Sequence, residues 1–362
     1  MKKITFVIPS RNNLEFLQLA YQSIRNLNTK HDILVLNDAS TDGTQEWIDS
    51  LGDDNLITHH NPGPERIGIV GMFDKGIEMA RTDIIMAFHA DMVAAPDLDK
   101  HILKHLKKGT VVSATRVEPP LHPDGPEKIL MNFGIEVDEF DYDKFCNWVN
   151  GPVDSTGGYQ PKHDTLVTEG IFAPWCMYKE DFLAIGGHDE LFAPQSKEDS
   201  DLFNRFVLNG YKVIQTWEGL VYHFTSRGSR FNKHAGGAAG KNSEEWLHTT
   251  TTNMKKFIKK WGTMVQHDQF MKPIVSPVYR KSINIINSNP QLDEALEPWS
   301  NGGKDIIVEV NGNLFNQQDF QVIQKLNDIL KDSGEIGEFE LGNLKITINS
   351  LEEHQNELIC VS

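Results

Sequence analysis

The chain has 362 residues, 39% apolar and 24% charged, which is enough for one large α/β domain with an appendage or for two modest domains, and is not a disordered composition. A net charge of −16 argues against a general nucleic-acid-binding surface, and three cysteines without C-x-x-C spacing suggest neither a disulfide framework nor a zinc site. No apolar run approaches the roughly 18 residues of a membrane span, and Ile4 to Ile8 is too short for a signal-peptide core, so a reducing cytoplasm is the expected setting.

Ile4-Thr5-Phe6-Val7-Ile8 reads as a buried strand stopped by Pro9-Ser10-Arg11-Asn12-Asn13, and Leu14, Leu17, Ala20, Tyr21 and Ile24 then recur at helical spacing. A dinucleotide oxidoreductase would carry G-x-G-x-x-G in that first loop. Here the loop has no glycine and the chain has no P-loop, which argues against hydride transfer. Ile33-Leu34-Val35-Leu36 is a second strand, ending in Asn37-Asp38-Ala39-Ser40-Thr41-Asp42-Gly43-Thr44, where Ser40 or Thr41 is expected to cap the helix carrying Trp47, Ile48 and Leu51.

Leu56-Ile57-Thr58 makes a short third strand, and Pro62-Gly63-Pro64 forces a loop before a helix through Met72, Phe73, Ile77 and Ala80. The apolar run Ile84-Ile85-Met86-Ala87 then closes in Phe88-His89-Ala90-Asp91. That ending puts an acid on the carboxyl edge of a sheet, where open α/β proteins bind ligands. A helix from Pro96 to Lys108 and a strand from Thr110 to Ala114 continue the alternation, which specifies a mainly parallel sheet with helices on both faces.

Residues 115 to 170 are rich in Pro, Gly, Asp and His and too long for a mere connection, so they are either a binding excursion or a homo-oligomer contact. From Phe172 the pattern tightens into Gly186-Gly187-His188-Asp189-Glu190 and Ser196-Lys197-Glu198-Asp199-Ser200-Asp201, followed by a helix that stops at Gly210. Strands at Val213 to Thr216 and Leu220 to His223 precede a loop from Arg227 to Asn242 and a helix from Glu244 to Trp261. From Thr225 to Lys281 eleven Lys and Arg face three acids, a local +8 that leaves room for an anion site, although Lys255, Lys256, Lys259 and Lys260 fit the polar side of an amphipathic helix.

After Asn301-Gly302-Gly303 the composition shifts, and from Asp293 to Ser362 fourteen acids face four Lys and no Arg, a local −10. Strands are expected at Ile306 to Val310, Phe339 to Leu341, Leu344 to Ile348 and Leu358 to Val361, with a helix through Phe320 and Leu330. The expected organisation is a domain over 1–265, with halves 1–115 and 116–265, a linker over 266–302 and a small acidic α+β unit over 303–362.

Pro9-Ser10-Arg11-Asn12, Leu36 to Thr44, the acid closing the fourth strand, Gly186 to Glu190 and Glu198-Asp199-Ser200-Asp201-Leu202, in this order, resemble a family-2 glycosyltransferase of the GT-A fold over residues 3 to 262. The resemblance implies transfer of a sugar from a nucleotide-diphosphate donor, a UDP-linked one being expected, to a hydroxyl acceptor that is a glycan, a lipid-linked group or a protein. Asp38 stands where such enzymes hydrogen-bond the base, although an acid here also suits a turn or cap. Pro9, Ser10, Arg11, Arg66 and Ala90 fall at donor-side positions, with Ile67 and Asp74 where the family often has asparagines. Arg66 reads equally well as a plain surface arginine.

Asp91 resembles the last acid of the family's D-x-D motif, which binds Mn²⁺ or Mg²⁺ across the diphosphate, and His89 replaces the first acid. An imidazole accepts Mn²⁺ better than Mg²⁺. His223 resembles a late metal or pyrophosphate contact, and Arg227 and Arg230 would close over the diphosphate. Glu198-Asp199 resembles the family's acidic pair, in which the aspartate is the general base of inverting members, with Asp201 as second candidate and a Ser196-x-x-Asp199 capping box as the bland alternative. A nucleotidyltransferase would want a glycine-rich phosphate loop, which is missing. A non-catalytic sugar-nucleotide-binding or scaffolding protein stays open.

Overall fold

The computed structural model describes residues 2–152, 157–261 and 263–275, together with the backbone of four strands between 279 and 353. It divides into two compact units, one of residues 1–249 and 267–273, the other of residues 250–266 and 274–362.

In chain order the elements are β1 (Thr5–Ser10), α1 (Leu14–Arg25), β2 (Asp32–Asp38), α2 (Thr44–Ser50), β3 (Leu56–Asn61), α3 (Gly68–Met79), β4 (Ile84–Ala87), β5 (Met92–Ala94), α4 (Leu98–His105), β6 (Thr110–Glu118) and β7 (Lys128–Leu130). There follow α5 (Tyr142–Asn150), β8 (Val167–Glu169), β9 (Trp175–Tyr178), α6 (Lys179–Ala184), α7 (Glu198–Leu208), β10 (Lys212–His223) and α8 (Glu244–Trp261). The main sheet runs β3-β2-β1-β4-β9-β6-β10-β5, with β7 on β6 and β8 on β10.

The first half is the parallel part, β1 pairing with both β2 and β4, and β2 with β3. Because the chain leaves β1 toward β2 and β3 and returns to β4 on the other side, the switch point lies between β1 and β4, where open α/β sheets leave a crevice at their carboxyl ends. β1, β2 and β4 are buried on both faces, and accordingly Val7, Ile8, Leu34, Val35, Ile85 and Met86 form continuous apolar runs, whereas the edge strand β3 is partly exposed. On α1 Leu17, Ala20, Tyr21 and Ile24 are buried as the spacing predicts, each large one stabilising by about 1.5–3 kcal/mol, whereas Leu14 is half-buried and Phe16 is buried in addition.

The second half mixes directions. β9 lies antiparallel between β4 and β6, while β6 and β10 are parallel and β5 is antiparallel to β10. Val213 to Thr216 and Leu220 to His223, expected as two strands, are one strand whose register against β6 shifts between Thr216 and Leu220. Trp217 fills that irregularity and is itself buried, so the bulge keeps an apolar side chain inside without ending the strand.

Two expected caps are placed differently. α2 begins after Gly43 at φ 86°, and Asp42 accepts the Thr44 N–H, while Ser40 and Thr41 are drawn into the neighbouring loop. α7 begins after Lys197 without a side-chain cap, so the capping box that was the alternative reading of Ser196-x-x-Asp199 does not form. The excursion over 115–170 is partly ordinary fold: β6 runs on to Glu118, and Phe133, Phe145, Trp217 and Tyr222 share a second core.

In the other unit a separate four-stranded sheet has the order β12-β11-β14-β13, made of β11 (Tyr279–Ile286), β12 (Ile306–Asn311), β13 (Gly337–Leu341) and β14 (Leu344–Glu353). β11 falls within 266–302, expected as a linker; its Ile283-Asn284-Ile285-Ile286 run is a short β-branched segment that pairs with both β12 and β14. The expected helix through Phe320 and strand at Leu358 lie outside the described residues.

Candidate active site and metal centre

The carboxyl end of β1 delivers Ser10 and Arg11, and the buried Ser10 Oγ and Arg11 Nε have no hydrogen-bond partner. The first two βα loops are laced together: the Asn12 N–H donates to Ser40 Oγ at 3.0 Å, the Thr41 N–H to Asn12 Oδ1 at 2.7 Å, and the Leu14 N–H to Asp42 Oδ2 at 2.9 Å. This fixes the mouth of the crevice without a glycine-rich turn.

Asp38, at the end of β2, is buried and accepts from Asn61 Nδ2 and the Ile67 N–H on Oδ1 and from the Gly68 N–H on Oδ2. Its carboxylate therefore anchors the start of α3, the cap role weighed against base contact, and one lone pair of Oδ2 stays without a partner in this set. Gly68 has φ +91°, and a Cβ there would meet Pro194 at 2.5 Å, so glycine is required where the loop before α7 packs on α3. Arg66 pairs with Glu245 at 2.6 Å; burial lowers its pKa, as does Arg11, while Glu245 and Asp38 oppose. Arg66, Arg11 and Asp38 thus share one electrostatic neighbourhood.

Asp74, where an asparagine was expected by resemblance, accepts from both the backbone N–H and Nδ1 of His188, the latter at 2.6 Å. It ties the Gly186-Gly187-His188 turn to α3. A Cβ on Gly187 would meet the same carboxylate at 2.6 Å.

His89, Asp91 and His223 come together, with ligand atoms all within 4.8 Å of one another. Asp91 follows β4, and His223 ends β10, whose antiparallel pairing with β5 sets His223 opposite Met92. Asp91 Oδ2 also accepts the Arg227 N–H at 2.6 Å. His223 Nε2 lies 3.7 Å from Asp91 Oδ2, too long for a hydrogen bond and within the span of about 4.2 Å that two metal–ligand bonds of about 2.1 Å can bridge. Burial lowers the His89 pKa against the opposing pull of Asp91 and Asp199, which favours a neutral imidazole with a free lone pair. Two imidazoles and one carboxylate are a donor set that fits Mn²⁺ better than Mg²⁺.

Behind His223 stands Glu118, which sequence reasoning missed. Its Oε1 accepts from His223 Nδ1 at 2.7 Å and from Arg116 at 2.9 Å, and Lys128 reaches Oε2 at 3.2 Å. Burial alone would raise the Glu118 carboxyl, but Arg116, His223 and Lys128 together hold it well below the usual carboxylate range. The available signal was Arg116-x-Glu118, two charges alternating at the end of an otherwise buried strand.

Glu198 and Asp199 open α7. Consecutive left-handed residues, Ser196 at φ 75° and Lys197 at φ 77°, turn the chain into that helix, an unfavourable conformation for non-glycine residues. Glu198 is 8% exposed and its Oε2 has no hydrogen-bond partner; burial, then the Asp199 charge, push its carboxyl up to about 8. Asp199 is more accessible, and its charge reaches His89. Asp201 is 0% exposed and bonds Arg205 Nε at 2.9 Å, while Arg205 also donates to the Ile185 carbonyl. That buried pair locks α7 to its surroundings, which removes Asp201 from the groups able to meet an acceptor.

The two loop arginines part company. The Arg227 guanidinium is buried against the Ile135 carbonyl and Glu136, so only its backbone N–H serves Asp91. Arg230 bonds Asn242, lies 4.5 Å from the Trp246 ring centroid, and its charge is felt by Lys197 and His122.

Residues 5–149 match the family model for glycosyl transferase family 2. That match covers 145 of the chain's 362 residues, a likeness to family 2 over this segment alone. It runs from β1 almost to the end of α5 and holds Asp38, Arg66, His89, Asp91 and Glu118, whereas Glu198, Asp199 and His223 lie beyond it. An undecaprenyl-phosphate mannosyltransferase of Micrococcus luteus is 26% identical over 121 residues, 32% of this chain and 49% of that protein, so the chain spans about half the length of that relative. Among solved structures, GalNAc-T7 with UDP, GalNAc and Mn²⁺ is similar at 12% identity, TM-score 0.44, over 61% of this chain and 43% of the other. The mannosyltransferase PcManGT from Pyrobaculum calidifontis, in complex with GDP-Man and Mn²⁺, shows 18% identity and TM-score 0.41 over 61% and 56%. S. aureus TarS 1-349 in complex with UDP shows 11% identity and TM-score 0.42 over 61% and 60%.

Proposed function

We propose that this chain is a metal-assisted, inverting glycosyltransferase that moves a sugar from a UDP-linked donor to a hydroxyl acceptor. The observation that carries the reading is the convergence of His89, Asp91 and His223 at the carboxyl edge beside the switch point, within electrostatic reach of Asp199. These three residues would hold a divalent ion, which when bound offsets the negative charge of a departing diphosphate. Arg11 and Arg66 add positive charge on the donor side, and Arg230 supplies a cation from the loop after β10. Asp38 contributes its remaining lone pair to the base, and its grip on the Ile67 and Gly68 N–H groups keeps that oxygen in place.

Asp199 takes the proton from the acceptor hydroxyl as that oxygen attacks the anomeric carbon, so one displacement inverts the configuration. Next to it in the helix, burial and then the Asp199 charge push the Glu198 carboxyl up to about 8, which favours its neutral form near neutral pH.

The test is incubation with a panel of nucleotide sugars, with and without Mn²⁺, reading released nucleoside diphosphate and, by calorimetry, UDP binding. Mn²⁺-dependent release from a UDP-sugar is expected. Binding without release would favour a non-catalytic sugar-nucleotide-binding protein, and neither binding nor release would end the donor reading.

A further inference from the structure

His223 has two ring nitrogens with different surroundings. Nδ1 points at Glu118 Oε1, 2.7 Å away, whereas Nε2 faces Asp91 and lies 3.5 Å from the Ser226 N–H, which donates toward it. A carboxylate that accepts a hydrogen bond from Arg116 and forms an ion pair with Lys128 can only accept from the ring, so the Nδ1 side must carry the proton. The Ser226 N–H, at the long limit of a hydrogen bond, agrees with a lone pair on Nε2 and is weak enough to yield it to an ion, so Glu118 decides the tautomer.

We propose that Glu118 is a positioning residue that holds His223 as the Nδ1–H tautomer and thereby presents the Nε2 lone pair to a divalent ion shared with His89 and Asp91. The inference rests on the metal reading above. Outer carboxylates of this kind fix ring orientation as well as tautomer.

Orientation rather than added negative charge is the main effect. Arg116 and Lys128 contribute two positive charges and Glu118 and Glu127 two negative ones, Glu127 approaching Arg116 at 3.6 Å, so the cluster is balanced before His223 is counted. Its parts are also fixed: Glu118 and Arg116 are buried, and the Arg116 guanidinium lies 3.6 Å from the Phe172 ring centroid. A mobile carboxylate could follow the imidazole through a ring flip. This one cannot.

A purely structural role for Glu118, neutralising Arg116 and Lys128 in the core, makes a different forecast. The experiment uses the full chain with ¹⁵N-labelled histidine, the His223 ring resonances being assigned by their loss in His223→Asn. Expected in the parent is a protonated Nδ1 and an unprotonated Nε2. In Glu118→Gln that preference is lost, because the amide can turn its NH₂ toward Nδ1 and select the opposite tautomer, and Mn²⁺ affinity in the presence of UDP, read from the EPR signal of free Mn²⁺, falls about 10- to 100-fold. Glu127→Gln perturbs the same charge cluster without touching His223 and should change Mn²⁺ affinity less than about twofold. In the His223→Asn background, adding Glu118→Gln should cost less than about a further twofold.

A parent His223 protonated on Nε2 overturns the proposal without recourse to any variant, which keeps it falsifiable if Glu118→Gln does not fold. A folded Glu118→Gln with the parent tautomer and parent affinity overturns it, as does an undiminished effect of Glu118→Gln when His223 is already asparagine. A parent that binds no Mn²⁺ overturns the metal reading itself and this proposal with it, whereas the other outcomes strike Glu118 alone.

Discussion

Replacing Glu198 with glutamine should shift stability progressively in the variant's favour as the pH rises. The carboxyl goes from about 4.5 in an unfolded chain to about 8 in the folded one, raised by burial and by the Asp199 charge. Between those values the folded state keeps a proton that the unfolded state releases, so stability is complete below about pH 4.5 and declines up to about pH 8. The slope for one such group is about 1.4 kcal/mol per pH unit, some 5 kcal/mol across the whole window as an upper bound. Glu198→Gln has no ionisation to oppose. Its oxygen can accept the Ser196 and Glu198 N–H groups, and its NH₂ takes the place of Oε2, which has no hydrogen-bond partner to lose. Leaving that NH₂ unsatisfied costs about 1–3 kcal/mol at every pH, an offset that does not alter the slope. The assay is urea unfolding from pH 5.5 to 9, followed by tryptophan fluorescence, since Trp175 and Trp217 are buried in the unit that holds Glu198. The variant's advantage should grow with pH and level off above about 8. Parallel profiles for parent and variant would refute both the burial argument and the protonated state assigned to Glu198.

Asp199→Asn should abolish transfer while leaving UDP affinity, measured by calorimetry, within about twofold, a loss confined to the chemical step. Asp91→Asn should instead weaken Mn²⁺-dependent UDP binding, because it removes a charge from the ligand set while leaving an amide to receive the Arg227 N–H. His89→Asp should raise Mg²⁺-supported transfer relative to Mn²⁺, since it exchanges an imidazole for a hard oxygen donor; an unchanged metal preference would place His89 outside the ligand set. Asp201→Asn should lower stability by about 3–5 kcal/mol by leaving Arg205 buried without its countercharge, and should leave the UDP affinity of the folded fraction intact.

The elements that were legible are those whose signal is local. Ile4 to Ile8, Ile33 to Leu36 and Ile84 to Ala87 could only be buried strands, and the acid at Asp91 had to lie at a strand's carboxyl edge. Trp217 hid the continuity of β10 because a bulge spends residues that no longer alternate. Asp201 and Asp199 look equivalent in Glu198-Asp199-Ser200-Asp201, yet two positions along a helix turn them through about 200°, leaving Asp199 partly exposed and Asp201 in the core beside Arg205. The same limit applies to Arg227 and Arg230, where only the path of the loop decides which guanidinium is consumed by Ile135 and Glu136. Glu118 left only the faint mark of Arg116-x-Glu118, since its partner His223 is 105 residues away and the two are joined by sheet pairing rather than by spacing.

That long-range pairing also explains how the candidate metal centre is assembled. His89 and Asp91 come from the loop after β4, and His223 from the end of β10, which the sheet separates from β4 by β9 and β6. The loop closes the gap by folding back as β5, whose three residues pair antiparallel with the last three of β10. The Phe224 N–H then bonds the Asp91 carbonyl and the Arg227 N–H its carboxylate, so the same few residues that finish the sheet also aim the ligands. A substitution that loosens β5, such as one at the buried Val93 between Met92 and Ala94, should therefore disturb metal affinity before it disturbs the rest of the core.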